Sequence, residues 1–159
     1  MTGLKIIKDS KTLLRTIQKY KLKKKKIGFV PTLGFLHKGH LELIRLAKKK
    51  SDIVIVSIFL NPLQFNSKSD FKKYPINLTA DKKKIYKEKI NILYMPTIKE
   101  VFPDKKIQRL KASKKAKKLC GKFRKGHFDG VVTVLKSLFK QVSPKIVFFG
   151  EKDFQQILI

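Results

Sequence analysis

The chain has 159 residues, of which 42% are hydrophobic, enough for one buried core but too few for two full domains. No apolar run is long enough to span a bilayer, and the N-terminus lacks the pattern of a secretory signal. A single cysteine excludes an internal disulfide framework and a cysteine-based zinc site, so we expect a cytoplasmic protein without membrane contacts.

The formal net charge of +28 is typical of proteins that bind nucleic acid. However, four of the 39 basic residues are arginine, and the lysines are spread along the whole chain. Specific nucleic-acid binding favours arginine, so we interpret the charge as a solvated, lysine-rich surface without a specific nucleic-acid partner. A non-catalytic, basic nucleic-acid-binding domain stays open as an alternative, which a steep loss of binding with salt would reveal.

The first half of the chain predicts two helices and two strands. The first helix is predicted from four apolar positions at helical spacing behind a Ser10 cap: Leu13, Leu14, Ile17 and Tyr20. Residues 26–31 predict a short strand that Pro31 would end, and residues 40–50 predict an amphipathic helix. The apolar run 53–60 is typical of a central parallel strand, which is buried on both faces.

The second half continues the alternation. It predicts a lysine-rich helix at 77–90, a strand at 90–96, a basic loop with a short helix at 104–125, a helix at 127–142, a strand at 145–150 and a helix at 151–159. Alternating strands and helices predict one Rossmann-like unit over residues 1–159, an open parallel sheet with helices on both faces. The last helix has no stop signal, so we expect this unit to be incomplete at its C-terminal end.

His37 and His40 form an H-x-G-H motif between the first predicted strand and the following helix. Gly39 allows the backbone to approach a ligand, and we expect the helix to begin at or beside it, with free N–H groups that attract phosphate. Two imidazoles there can donate hydrogen bonds to phosphate oxygens and stabilise the charge that develops on a leaving pyrophosphate.

Five segments in chain order resemble the pantoate–β-alanine ligase (pantothenate synthetase) family: PTLGFLHKGH, SIFLNPLQF, DFKKYP, GHFDGVVTVLKSLF and FGEKDFQQ. The H-x-G-H motif alone would indicate only the broader adenylyl-transferring superfamily. NPLQF together with GEKDFQQ narrows the resemblance to this family, and another H-x-G-H nucleotidylyltransferase stays open as an alternative.

The resemblance implies an AMP-forming ligase of pantothenate biosynthesis that makes a carbon–nitrogen bond. Such enzymes condense pantoate with ATP to give pantoyl adenylate and pyrophosphate, and β-alanine then displaces AMP to give pantothenate. The resemblance also implies Mg²⁺ with ATP, and a homodimer. The family continues beyond GEKDFQQ into a phosphate-clamping loop and a smaller C-terminal domain. We therefore expect a fold truncated before that domain, and whether this chain is active alone stays open.

The resemblance also implies a set of site residues. ATP would contact Leu33, Gly34, Phe35, Leu36, His37, Lys38, Gly39 and His40 in one segment, and Gly150, Glu151, Lys152 and Asp153 in another. His37, His40 and Lys152 would be catalytic, with His40 as the acid. Gln64 would hold pantoate close to β-alanine, and Gln156 would complete the pantoate pocket.

Four further residues have weaker support. Asn61 and Tyr74 are as consistent with a structural role as with a role in the site. His127 is interpreted as fixing the start of a helix, and Cys120 as unreactive. No set of residues is expected to bind a metal ion directly.

Overall fold

A computed structural model describes residues 3–104, 107–118 and 120–158. Its sheet contains β1 (Lys5–Ile7), β2 (Ile27–Thr32), β3 (Ile53–Ile58), β4 (Ile92–Tyr94) and β5 (Ile146–Val147). Their spatial order is β1-β4-β3-β2-β5, and every adjacent pair runs parallel. The predicted open parallel sheet is therefore confirmed.

Helices follow the strands in the order expected of an α/β fold. They are α1 (Ser10–Leu22), α2 (Lys38–Lys50), α3 (Lys68–Lys73), α4 (Leu78–Lys87), α5 (Ile98–Val101), α6 (Cys120–Phe123), α7 (His127–Val142) and α8 (Phe154–Ile157). Short 3₁₀ turns lie at Pro62–Gln64, Lys114–Lys117 and Glu151–Asp153. Within the described residues, no helix combines the length and apolar character that crossing a membrane requires.

The central strand β3 is buried along its whole length because helices cover both faces of the sheet. Ile53 and Ile55 belong to a core cluster that includes residues of α1 and α7. Val54 and Val56 point the other way, into a cluster with residues of α2 and α4. This explains why the sequence there is a continuous apolar run rather than an alternating one.

The order of the strands creates a crevice between β2 and β5. From β2 the chain proceeds to β3 and β4 on one side of the sheet and then returns to place β5 on the other side of β2. The connections that follow β2 and β5 therefore diverge at their carboxyl ends. Such a switch point is where open α/β sheets bind their ligands.

The structure differs from the sequence prediction at two points near the N-terminus. Strand β1 was not predicted, because three residues are too few to show a period. The cap of α1 is Asp9 rather than Ser10, since the Asp9 carboxylate accepts the N–H of Thr12 at 2.7 Å. Both residue types are favoured at a helix N-cap, so the sequence alone could not choose between neighbours.

Pro31 does not end β2, which continues to Thr32. On the β5 side, the carbonyl of Phe29 accepts the N–H of Phe148. Pro31, two residues later, faces the same side, beyond the end of β5, where no strand requires an N–H donor. The helix after the H-x-G-H loop begins at Lys38, which confirms the predicted start at or beside Gly39.

Helix 127–142 is confirmed at both ends. The predicted strands at 90–96 and 145–150 are shorter, at three and two residues. The basic segment 104–125 contains a 3₁₀ turn and the short helix α6, while positions 105, 106 and 119 lie outside the described residues. The predicted last helix begins as a 3₁₀ turn, and position 159 also lies outside the description.

Candidate functional site

A cleft of about 380 Å³ opens at the carboxyl ends of β2 and β5. Its walls come from the loop after β2, the 3₁₀ turn after β3, one side of α7 and the segment after β5. Among the lining residues are His37, His40, Gln64, Lys152 and Gln156. A second hollow of about 440 Å³ lies alongside and shares four of these five residues. The structure thus brings together residues that lie up to 119 positions apart in the printed sequence.

Asp81 of α4 holds the loop that follows β2. Its carboxylate accepts the backbone N–H of Phe35 and of Leu36, each at 2.8 Å, and the side chain is 1% exposed. Gly34 and Phe35 both adopt positive φ angles, +93° and +51°, which the loop requires to turn into α2. Asp81 was not predicted as a site residue, although it is the one acidic residue in an otherwise lysine-rich helix.

His37 and His40 cap the N-terminus of α2 reciprocally. Nδ1 of His37 accepts the N–H of Gly39 at 3.1 Å, and Nδ1 of His40 accepts the N–H of His37 at 3.3 Å. An Nδ1 that accepts carries no proton, so in each neutral ring the proton lies on Nε2. The ring centroids lie 4.1 Å apart, and both rings line the cleft. The two histidines therefore offer Nε2–H donors beside a helix N-terminus.

Burial lowers the pKa of His40 to about 4, and the neighbouring charges of His37 and Lys152 act in the same direction. Asp153 and Asp81 oppose this shift without cancelling it. His40 is thus neutral at pH 7 in this structure. This protonation state favours a hydrogen-bond donor to an anion over an acid with a stored proton.

Gln64 ends the 3₁₀ turn after β3, and its side chain is held by Asn61, which is itself bonded to α7. Its Oε1 accepts from Nδ2 of Asn61 at 3.0 Å, and the same Asn61 amide donates to the carbonyl of Gly130 in α7 at 3.1 Å. A Cβ on Gly130 would lie 2.2 Å from the carbonyl oxygen of Leu63. Only glycine permits this approach, which fixes the turn against α7.

His127 is the first residue of α7 and is 8% exposed. Its Nδ1 lies 2.6 Å from the backbone carbonyl of Gln64, and the ring lines the cleft. Burial lowers the pKa of His127 and Arg124 adds to the effect, while the hydrogen bond to Gln64 opposes it. The prediction that His127 fixes the helix start was wrong, because the N-cap is Gly126, no side chain among the described residues caps the helix, and the His127 ring bonds the carbonyl of Gln64 instead.

The segment after β5 supplies the remaining polar groups. Lys152 and Asp153 line both hollows and form an exposed ion pair at 3.3 Å. Gly150 and Glu151 line the second hollow only, whereas Gln156 lines both. The positive charge of Lys152 is therefore available at the junction of the two hollows.

Not every predicted residue presents its side chain to the cleft. Leu36 is buried in the core cluster beneath α2, so it can serve the site only through its backbone. Lys38 is exposed and, like Gly34, is absent from the lining of both hollows. Leu33 and Phe35 line the cleft, and Gly39 lines the second hollow.

Two further residues complete the cleft. Tyr74 packs edge-to-face on Phe65 at 5.6 Å, and burial, with Asp81 and Asp153 nearby, raises the pKa of its hydroxyl. Arg124 adds a guanidinium to the wall. Arg124 was not predicted from the sequence, although it lies two residues before the segment GHFDGVVTVLKSLF that resembles the family.

The sequence matches known proteins along almost its whole length. The family described as Pantoate-beta-alanine ligase matches residues 5–159. The chain is 48% identical to a pantothenate synthetase of Thermoanaerobacter sp. over 143 residues, 90% of this chain and 50% of the relative. It is 45% identical to that of Listeria monocytogenes over 154 residues, 97% of this chain and 54% of the relative. The chain therefore spans about half the length of the curated relatives that it matches.

Solved structures agree with the sequence match. A pantoate-beta-alanine ligase from Francisella tularensis, described as complexed with beta-gamma ATP and beta-alanine, superposes with a TM-score of 0.92 at 39% identity, covering 98% of this chain and 60% of that one. A pantothenate synthetase from Thermus thermophilus gives 0.89 at 34% identity, covering 98% and 55%. By family match, sequence identity and fold, this chain belongs to the pantoate–β-alanine ligase family.

Proposed function

We propose that residues 1–159 form the ATP- and pantoate-binding domain of a pantoate–β-alanine ligase. The observation that carries the proposal is the convergence of His37, His40, Gln64, Lys152 and Gln156 on one cleft, in a chain of this family. The Francisella tularensis relative supports the assignment, since its structure is described with an ATP compound and β-alanine. The reaction would give pantothenate, AMP and pyrophosphate in two steps.

In the first step, a carboxylate oxygen of pantoate attacks the α-phosphorus of ATP, and pyrophosphate leaves. Negative charge then grows on the leaving group. The Nε2–H donors of His37 and His40, the N-terminus of α2 and the ammonium of Lys152 stabilise that charge, because they are already in position before the reaction. Catalysis by these residues is electrostatic and requires no stored proton on His40.

Pantoate combines a carboxylate and hydroxyls with two methyl groups on one carbon. The cleft offers amides at Gln64 and Gln156, which can donate and accept without adding charge. It also offers an apolar wall on α7, formed by Val131, Val134, Leu135 and Leu138. We assign the methyl groups to this wall and the polar groups to the two glutamines.

Mg²⁺ would enter with ATP, bound to its phosphates, as the cation prefers oxygen ligands and keeps several waters. Among the described residues, no group of three or more His, Cys, Asp and Glu side chains could hold an ion. We also propose, from the family resemblance, that the protein acts in the cytoplasm as a homodimer. Light scattering after gel filtration would measure the dimer.

Pantoate-dependent release of pyrophosphate from ATP tests the proposal. Because the relatives are about twice as long, the assay uses both the chain and a chimera in which residues 5–158 replace the matched part of the Listeria monocytogenes relative. We expect the chimera to release pyrophosphate only when pantoate is present, and to form pantothenate when β-alanine is added.

Release that does not depend on pantoate would contradict the proposal and favour another H-x-G-H nucleotidylyltransferase. A titration with ATP and with single-stranded nucleic acid, at low and at physiological salt, provides the second control. Nucleic-acid binding that collapses with salt, without ATP binding, would favour the basic binding domain instead.

A further inference from the structure

The histidines of the cleft hold their protons on opposite ring nitrogens. His37 and His40 each use Nδ1 to accept a backbone N–H, which leaves Nε2 protonated. His127 uses Nδ1 to contact a carbonyl oxygen, that of Gln64, which can only accept. The proton of neutral His127 therefore lies on Nδ1, and Nε2 carries a free lone pair.

The lone pair of His127 is open to the cleft. Its Nε2 has no hydrogen-bond partner among the described residues. The atom is also not buried, and the ring lines the cleft. Gln64, which the proposed function places beside pantoate and β-alanine, is the residue to which the same ring is bonded. A basic nitrogen thus lies next to the place where the amine would arrive.

The second step of the proposed reaction needs such a nitrogen. The amine of β-alanine attacks the acyl carbon of pantoyl adenylate, its lone pair forms the C–N bond, and the C–O bond to AMP breaks with its electron pair on the phosphate oxygen. The nitrogen then carries one proton too many for an amide. On the basis of the proposed function, we infer that Nε2 of His127 takes this proton and later releases it to solvent.

The other groups of the cleft fit this role less well. The titratable and charged residues that face the cleft with His127 are His37, His40, Tyr74, Arg124, Lys152 and Asp153. His37 and His40 present protonated Nε2 atoms, and Tyr74 keeps its proton because its pKa is raised. Arg124 and Lys152 are cations, and the Asp153 carboxylate is already paired with Lys152.

Burial also suits His127 to the acceptor role, since the lowered pKa keeps the ring neutral at pH 7. A neutral imidazole accepts readily from the acidic ammonium of the tetrahedral intermediate, more readily than from free β-alanine. The transfer therefore accompanies amide formation rather than preceding it.

The first test measures the tautomer directly on the 159-residue chain. Long-range ¹H–¹⁵N spectra at pH 7 distinguish a bare ring nitrogen from a protonated one, and single His→Gln variants assign the three rings. We expect His127 as the Nδ1–H form, with His37 and His40 as Nε2–H forms. An Nε2–H or doubly protonated His127 would overturn the inference.

The second test separates a base from a merely structural residue. His127→Asn keeps an N–H donor at the position of Nδ1, and therefore the bond to Gln64, but has no base at the position of Nε2. His127→Ala removes both, and Lys125→Ala, an exposed neighbour, serves as the control. Each variant is made in the chimera and assayed for pyrophosphate release and, separately, for the reaction of supplied pantoyl adenylate with β-alanine.

For His127→Asn we expect the aminolysis kcat to fall by on the order of a hundredfold, with pyrophosphate release and the KM for pantoate within about threefold of the unmodified chimera. Added imidazole should restore part of the aminolysis rate. Equal losses in both steps would assign His127 to positioning Gln64 alone and overturn the inference, as would no loss in either. Failure of the unmodified chimera to release pyrophosphate would instead contradict the proposed function.

Discussion

The two ends of the parallel sheet are both rich in positive charge, yet they differ in how that charge is held. At the amino end, a hollow of about 450 Å³ is lined by Lys21, Lys24, Lys25, Lys26 and Lys145. The ion pair described there, between Lys25 and Asp52, is long at 3.9 Å and half-exposed. At the carboxyl end, the site groups are fixed by hydrogen bonds before any ligand arrives, and the bonds at Leu36 and His127 are buried.

This difference shows why net charge is a poor guide to function in this chain. A flexible lysine must lose side-chain entropy when it binds an anion, and salt screens its attraction in solvent. The Nε2–H groups at α2 are oriented by the backbone of their own helix, so they lose little on binding. We therefore expect substitutions at the carboxyl end to have large effects and comparable substitutions at the amino end to have small ones.

The largest effect is expected for His40→Ala. The loss of one preorganised donor to the leaving pyrophosphate should slow adenylate formation by on the order of a hundredfold or more. The reaction of supplied pantoyl adenylate with β-alanine should be less affected, because no pyrophosphate leaves in that step. Rapid-quench measurement of the two half-reactions in the chimera checks this.

Lys24→Ala at the amino end is the matched control for His40→Ala and should change neither half-reaction. Equal losses in both half-reactions for His40→Ala would contradict a role specific to phosphate. The same outcome would weaken the contrast between the two ends of the sheet.

The next largest effect is expected for Asp81→Ala. It leaves the buried amide of Leu36 and the part-buried amide of Phe35 without their acceptor, and the loss at Leu36 alone should cost about 1–3 kcal/mol in the free energy of unfolding. ATP affinity should fall as well, because the loop is no longer held. Urea denaturation and calorimetric titration measure the two effects. Asp81→Asn keeps one acceptor oxygen, so its stability and ATP affinity should lie between those of the unmodified chain and Asp81→Ala. Asp70 is exposed, and Asp70→Ala should change either quantity little.

The sequence predicted the fold better than the detail of the site. Residues 53–60 and 127–142 were predictable because their apolar spacing is long and regular. The convergence of His40, Gln64 and Lys152 followed from the rule that parallel strands carry ligand sites at their carboxyl ends. Their individual roles came from the family resemblance and stay predictions.

Hydrogen bonds between residues far apart in the chain could not be predicted from the sequence. Asp81 lies 45 positions from Leu36, and His127 lies 63 from Gln64, so no local pattern links the partners. The tautomer of His127 depends on its bond to Gln64 and therefore could not be predicted either. Strand β1 was not predicted for a different reason, because its three residues can be recognised as a strand only from their pairing with β4.

A pair of lysines compares the two ends directly. Lys152→Ala removes a cation that lies at the junction of the two hollows and should weaken ATP binding by about tenfold, because one phosphate contact is lost. Lys25→Ala removes the same charge at the amino end and should leave the affinity unchanged within about twofold. Titrations at two salt concentrations check both values. Equal losses would mean that ATP responds to total charge rather than to the cleft.

The smallest effect concerns pH, and it too should be confined to the carboxyl end. Because the pKa of His40 falls to about 4 in the folded protein, the unfolded chain binds this proton at a higher pH than the folded one does. The free energy of unfolding should therefore be unaffected by His40 above about pH 6.5 and should decline as the pH falls from there towards 4. His127, whose pKa is also lowered, acts in the same direction.

In His40→Gln, the loss of stability between pH 7 and pH 5 should be smaller by on the order of 1 kcal/mol, allowing for the partial exposure of the ring. Lys25→Gln should keep the slope of the unmodified chain, since a lysine does not titrate in this range. Urea denaturation at the two pH values measures the slopes, and identical slopes in His40→Gln and the unmodified chain would show that the ring is not held neutral by its burial beside His37 and Lys152.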